Sequence, residues 1–223
     1  MDKTLLRQAM IKFFSGVLLV GLLLFLPAGT LYFRRAWLLM GILFVPMFLA
    51  GLVMLFKSPE LLRRRLKARE SEGEQRTVIA LSGLMFLLSF ILAGLNYRSD
   101  WMLLPRWVSI AAAAVFLLGY GLFGEVLREN VYLARTVEVE KGQKLIDTGL
   151  YGIVRHPMYS ATVLMFLAMP LVLGSPLSFA VMLLYLPIIA KRIRNEEQLL
   201  SKELAGYEDY KKRVKYRLFP GIW

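Results

Sequence analysis

The stretch Val78–Tyr97, VIALSGLMFLLSFILAGLNY, decides the fold class, because it runs for twenty residues without a charge. As a helix rising ~1.5 Å per residue it is about 30 Å long, the thickness of a bilayer's hydrocarbon layer. The pattern recurs on both sides of it, in Ile11–Tyr32, Ala36–Phe56 and Trp107–Leu127. Ile11–Tyr32 is too long for the apolar part of a signal peptide, and no small-x-small cleavage site follows it, so it reads as an uncleaved span. Two shorter apolar runs come later, Met158–Leu173 and Leu177–Ala190, joined by Gly174-Ser175-Pro176. Those joining residues favour a tight turn, and the pair is expected to form a helical hairpin. Each run contains a proline, Pro170 or Pro187, and is near the lower length limit for spanning. They are expected to cross a thinned or water-filled part of the structure. Composition agrees: 57% of the 223 residues are hydrophobic and the mean hydropathy is +0.56. The expected fold class is all-α, a polytopic membrane helical bundle. It has about six apolar helices, the last two a short hairpin, and then a cytoplasmic C-terminal helix.

The net charge is +12 and the sequence pI about 10.0. In a soluble chain this would point to nucleic acid. Here the distribution of charge explains it. Of 28 Lys and Arg residues, 24 fall in the N-terminus, Lys57–Arg76, Arg128–Arg155 and Lys191–Arg217; only Arg34, Arg35, Arg98 and Arg106 fall between the other ends. Basic loops stay on the cytoplasmic side, so both termini are expected there, in the inner membrane if the cell is bacterial. The basic segments then lie beside anionic lipid headgroups, and no nucleic-acid partner is expected. Lys57–Arg76 reads as a solvated connector, helical in its first half. Arg192–Val214, with apolar Leu199, Leu200, Leu204 and Tyr207, reads as an amphipathic helix lying against the membrane face or the protein. The absence of cysteine excludes disulfides and thiolate catalysis, and a single histidine excludes a multi-histidine metal site.

Three motifs bear on chemistry. Gly119-Tyr-Gly121-Leu-Phe-Gly124 fits a dinucleotide fingerprint, but that fingerprint has meaning only between a strand and a helix. Inside a membrane helix its small residues read as a packing surface. The second motif holds the only histidine: Gly149-Leu-Tyr151-Gly-Ile-Val-Arg155-His156-Pro157-Met158-Tyr159. Asp147 to Gly149 suggests a turn, Pro157 suits the first turn of a helix, and His156 falls at its N-cap. Tyr151, His156 and Tyr159 admit two readings, a cluster of functional donors or an interfacial aromatic belt. The third is Arg192-Ile-Arg194-Asn195-Glu196-Glu197, where Arg192 and Glu196 share a helix face. An ion pair is one reading. The other is a holder for a ligand carrying both an anion and a cation, because charges where a helix leaves the bilayer are expensive if they point inward.

At these residues the sequence resembles the isoprenylcysteine carboxyl methyltransferase family, integral-membrane enzymes similar to phospholipid N-methyltransferases. The matching elements are Gly149-x-Tyr151-x-x-x-Arg155-His156-Pro157-x-Tyr159, Arg192-x-x-x-Glu196-Glu197 and Tyr207-x-x-Tyr210-x-x-x-Val214. The resemblance implies S-adenosylmethionine bound on the cytoplasmic side. Gln143, Lys144, Leu145 and Ile146 would line its adenosine end. Tyr151, His156, Pro157, Met158 and Tyr159 would contact it, and Glu196 would bind its ammonium group. Arg192 would hold the substrate carboxylate and serve as the catalytic residue. Family members acting on prenylated protein ends carry a histidine near the position of Gln143, and this chain does not. On this reading residues 1–127 form a substrate-side unit of four spans and residues 128–223 the cofactor-binding region. A lipophilic, isoprenylcysteine-like or prenylated substrate enters from the bilayer. A lipid amine or small thiol is an alternative acceptor, and a non-catalytic scaffold or transporter the alternative class. Against a transporter, the first four spans hold no mid-span charge and no pair of broken helices recurs.

Overall fold

The computed structural model describes residues 3–66, 73–130, 132–133 and 142–223, with backbone alone at 73–76. The regular structure of the described residues is all helical, without strands. α1 (Lys3–Ala28), α2 (Arg34–Lys57), α4 (Gly73–Ser99) and α5 (Arg106–Glu129) are the long apolar helices, and α3 (Pro59–Leu66) is a short basic helix after α2. α6 (Pro157–Leu173) and the pair α7 (Pro176–Met182) and α8 (Tyr185–Glu203) make the hairpin; α9 (Tyr207–Arg213) follows. Five segments are long and apolar enough to cross a membrane, α7 and α8 counting together as one, and α6 is a shorter sixth.

The outward faces show which solvent this bundle requires. Leu18, Leu26, Phe56 and Leu118 are each more than 60% exposed. In water each exposed side chain of this size would forfeit about 1.5–3 kcal/mol of burial; in a hydrocarbon layer that cost disappears. The chain is an integral membrane protein. Its interior is built from Leu24, Phe33, Leu39, Phe90, Phe116 and Leu173, interleaved with Ala36, Ala93, Ala112 and Ala168, whose small size lets backbones approach.

α5 and α6 form the most extensive pairing. Near the start of α5, Ser109 Oγ donates to the Leu171 carbonyl at 3.4 Å. At mid-helix a Cβ on Gly119 would stand 2.8 Å from Met165 Cγ and 3.1 Å from the Ala161 carbonyl. At the far end the Glu129 carboxylate accepts from the Leu150 amide at 3.1 Å. α6 therefore runs antiparallel to α5, and the turn that precedes it reaches the end of α5. The packing reading of Gly119 holds, whereas Gly121 and Gly124 face open space.

Two boundaries differ from the sequence reading. The run Leu177–Ala190 is not one helix: α7 ends at Met182 and α8 begins at Tyr185. Arg192–Val214 is not one helix either. α8 carries the last apolar span directly into Glu203, and the chain then breaks at Leu204-Ala205-Gly206 before α9. Hydropathy placed a boundary where the solvent changes, but the helix continues through it. The break folds α9 back, so that Leu204, Tyr207, Tyr210 and Val214 form a small core of their own with Leu145 and Leu200 against it.

Candidate functional site

The site forms where α5 ends, α6 begins and α8 leaves the bundle. A 3-10 turn, Gly149–Gly152, leads into it. Gly149 has φ +53°, and a Cβ there would collide with the Glu129 carboxylate that anchors the turn, so glycine is required twice over. His156 is the N-cap of α6 and Pro157 lies in its first turn, as the spacing suggested.

The loop is tied to the segment after α9. The Arg155 and His156 amides donate to the Tyr216 and Arg217 carbonyls, both at 2.9 Å. The Arg155 guanidinium donates from Nη1 to the Val214 and Lys215 carbonyls at 2.7 and 2.8 Å, and from Nε to Glu197 Oε1 at 2.7 Å. Arg217 reaches Glu197 Oε2 at 2.9 Å, and His156 Nε2 lies 3.3 Å from Oε1. Glu197, Arg155 and His156 are all buried. Both Glu197 oxygens are thus occupied by guanidinium groups. This carboxylate is a structural anchor.

Its neighbour Glu196 differs. Its side chain is 23% exposed, and its Oε2 accepts from the Tyr159 hydroxyl. The same hydroxyl accepts from Arg192 Nε at 2.9 Å. Tyr159 therefore stands between the two charged residues that sequence spacing placed on one face. Its ring stacks on His156 with centroids 5.7 Å apart.

A pocket opens beside Glu196. Gln143, Lys144, Leu145 and Ile146 line one wall; Tyr151, His156, Met158 and Tyr159 line another. Asn130, Leu133 and Arg155, with Leu200, Leu204, Tyr207 and Tyr210, complete it. Of the residues singled out from the sequence, Pro157 and Arg192 do not line this pocket; Arg192 lies beyond Tyr159. Sequence reasoning assigned no site role to Asn130, Arg155, Glu197, Tyr207 or Tyr210. The last four belong to the matching motifs, which was their only signal. Tyr151 is held twice: Asn130 Nδ2 donates to its hydroxyl at 2.9 Å, and its carbonyl accepts from Tyr210 at 2.7 Å. Burial pushes the Tyr151 phenol up to about 12; the Asn130 bond opposes this, and the Glu196 and Glu129 charges add to it. It stays protonated at neutral pH.

Tyr207 supplies the fit test for a cofactor. Its hydroxyl is buried in the pocket lining and has no hydrogen-bond partner among the described residues. A buried hydroxyl left unpaired costs about 1–3 kcal/mol, which a ligand with an acceptor would remove. An unpaired donor, an accessible carboxylate and aromatic walls suit a ligand with a ribose, an ammonium group and a purine. S-adenosylmethionine fits the residues present.

The phospholipid methyltransferase family model matches residues 107–205, which contain α5 to α8 and the His156 loop. The chain resembles the integral-membrane methyltransferases. A protein-S-isoprenylcysteine O-methyltransferase B of Arabidopsis thaliana is 26% identical over 156 residues, covering 61% of this chain and 76% of that one. A Delta(14)-sterol reductase of Mus musculus is 33% identical over 91 residues, covering 40% of this chain and 22% of that one. The chain therefore spans only about a fifth of that reductase. The solved structure of a eukaryotic intramembrane Ras methyltransferase, an isoprenylcysteine carboxyl methyltransferase, shares the fold with a TM-score of 0.50 at 19% identity, over 97% of this chain and 86% of that one.

Proposed function

We propose that the chain is an S-adenosylmethionine-dependent methyltransferase that methylates the carboxylate of a lipophilic, isoprenylcysteine-like substrate. The observation that carries this reading is the pocket where the unpaired Tyr207 hydroxyl and the accessible Glu196 carboxylate meet the Gln143–Ile146 wall. When bound, the cofactor supplies an electrophilic methyl group on a sulfonium. Glu196 holds its ammonium group, Tyr207 pairs with a ribose or carboxylate oxygen, and Tyr151, Met158 and Tyr159 wall the pocket. Arg192, beyond Tyr159, holds the substrate carboxylate, with the Tyr159 hydroxyl fixing its distance from Glu196. A carboxylate is ionised at neutral pH, so the protein needs no base; orientation and water exclusion suffice. The site faces the cytoplasm together with both termini, and residues 1–127 select the lipophilic substrate arriving from the bilayer.

The test is calorimetric binding of S-adenosylmethionine to the detergent-solubilised chain, beside Glu196→Gln and Tyr207→Phe. Micromolar binding weakened about tenfold by either substitution is expected, the loss of one charge-assisted or buried hydrogen bond. A folded chain that does not bind overturns the proposal. The sterol reductase similarity favours a second reading, reduction by a nicotinamide cofactor. NADPH in the same cell decides it: binding of NADPH in place of S-adenosylmethionine makes the chain a reductase.

A further inference from the structure

A second cavity, of about 720 Å³, lies at the other end of α5, between the starts of α2 and α5 and the end of α4. Some twenty residues of α5 separate it from the candidate site, about 30 Å at the helical rise. Arg34, Arg35 and Arg106 form its polar wall, and Leu38, Leu103 and Ile110 its apolar one. No carboxylate is among the residues that line it.

This charge pattern runs against the rest of the chain. Only four of the 28 basic residues sit at this end, and three of them converge on one cavity. Like charges gathered at a membrane surface repel one another unless an anion joins them. The starts of α2 and α5 add partial positive charge of the same sign. Arg35 is held rigidly at the cavity wall. Its Nη2 donates to the Leu104 carbonyl at 2.7 Å, while its Nη1 is buried without a hydrogen-bond partner among the described residues. That Nη1 is packed against Gly174, so Arg35 adds a fixed charge at the cavity wall, while the exposed guanidinium groups of Arg34 and Arg106 supply the forked donors an oxyanion would meet.

The apolar wall indicates the source of that anion. Ile110 is 67% exposed, and Trp37 and Trp107, also exposed, flank the same helix ends. Exposed tryptophans at helix ends mark the depth of the lipid headgroups. The cavity thus opens at headgroup level, with its arginines at the interface and its leucine–isoleucine wall continuous with the lipid-facing surface. We propose that it binds the phosphate of an anionic membrane lipid, whose acyl chain lies against Leu38 and Ile110. The site is independent of the methyl-transfer pocket.

Native mass spectrometry of the full chain in detergent, titrated with dioleoyl phosphatidylglycerol, tests this. Saturable retention of one lipid is expected, weakened about tenfold in R34A/R106A and largely restored in R34K/R106K. These two side chains are exposed, so both variants are expected to keep the wild-type helix content. Dioleoylglycerol, with the same chains and no phosphate, is expected not to be retained. Equal retention of phosphatidylglycerol by a folded R34A/R106A protein, or equal retention of dioleoylglycerol, overturns the site. Displacement of the lipid by millimolar inorganic phosphate overturns the lipid assignment in favour of a soluble anion. Should R34A/R106A fail to fold, a photoactivatable phosphatidylglycerol on the wild-type chain decides: cross-links within 30–40 and 100–112 support the proposal, and cross-links only elsewhere overturn it.

Discussion

At the scale of single residues, the adjacent glutamates illustrate how environment separates identical chemistry. Glu197 is buried between Arg155 and Arg217, and removing its charge leaves Arg155 partly uncompensated. Glu197→Gln is expected to cost about 3–5 kcal/mol in denaturant unfolding. Glu196→Gln is expected to change stability by less than about 1 kcal/mol and to act on ligand affinity instead. Equal effects of the two on stability would contradict the division of roles. The phenols give a pH signature. Tyr151 titrates near 12 in the fold and near 10 unfolded, and Tyr207 and Tyr210 are also raised, chiefly by burial. Between these values the unfolded chain has released protons that the fold retains. Stability from these groups is therefore complete below pH 10 and is lost as pH rises toward 12. Tyrosinate absorbance followed against helix content is expected to show the late phenols ionising only as the helices melt. None of this detail was legible in the sequence. The spacing of Arg192 and Glu196 gave their shared face, but nothing local could reveal a hydroxyl from Tyr159, thirty-three residues away, standing between them.

At the scale of elements, the pairing of α5 with α6 positions everything at the site, because Glu129 and Asn130 at the end of one helix hold the turn that starts the other. Gly119 permits the close approach, and Gly121 does not contribute to it. Gly119→Val is expected to lower stability by about 1–3 kcal/mol in thermal unfolding, whereas Gly121→Val is expected to stay within about 0.5 kcal/mol. Reading the glycine pattern as packing rather than nucleotide binding required only its location inside a span. Which glycine packs depends on helix rotation, set by tertiary contacts that hydropathy does not encode. The same limit explains α8. Its apolar start and charged end suggested two elements, yet helix hydrogen bonding continues through the change of solvent, and the real break comes at Leu204–Gly206.

At the scale of the whole molecule, the first four apolar passages were legible because about twenty uncharged residues have few other uses. The sequence contains no cysteine, so single cysteines report sidedness without background. In sealed vesicles, Lys202→Cys is expected to react with an impermeant maleimide from the cytoplasmic side and Asp100→Cys from the other, both positions being exposed. Reaction of both from one side would overturn the proposed topology. The tie between the His156 loop and the segment after α9 has a further bearing, on the order of events during synthesis. Arg155, His156 and Ser160 draw on carbonyls of Val214, Lys215, Tyr216, Arg217 and Leu218, which follow α1 to α8 in the sequence. A nascent polypeptide can insert these hydrophobic segments while those acceptors are still inside the ribosome. Insertion and closure can then be separate events: the hydrophobic helices reach the bilayer first, and the site is clasped shut once residues 214–218 emerge and fold back on it.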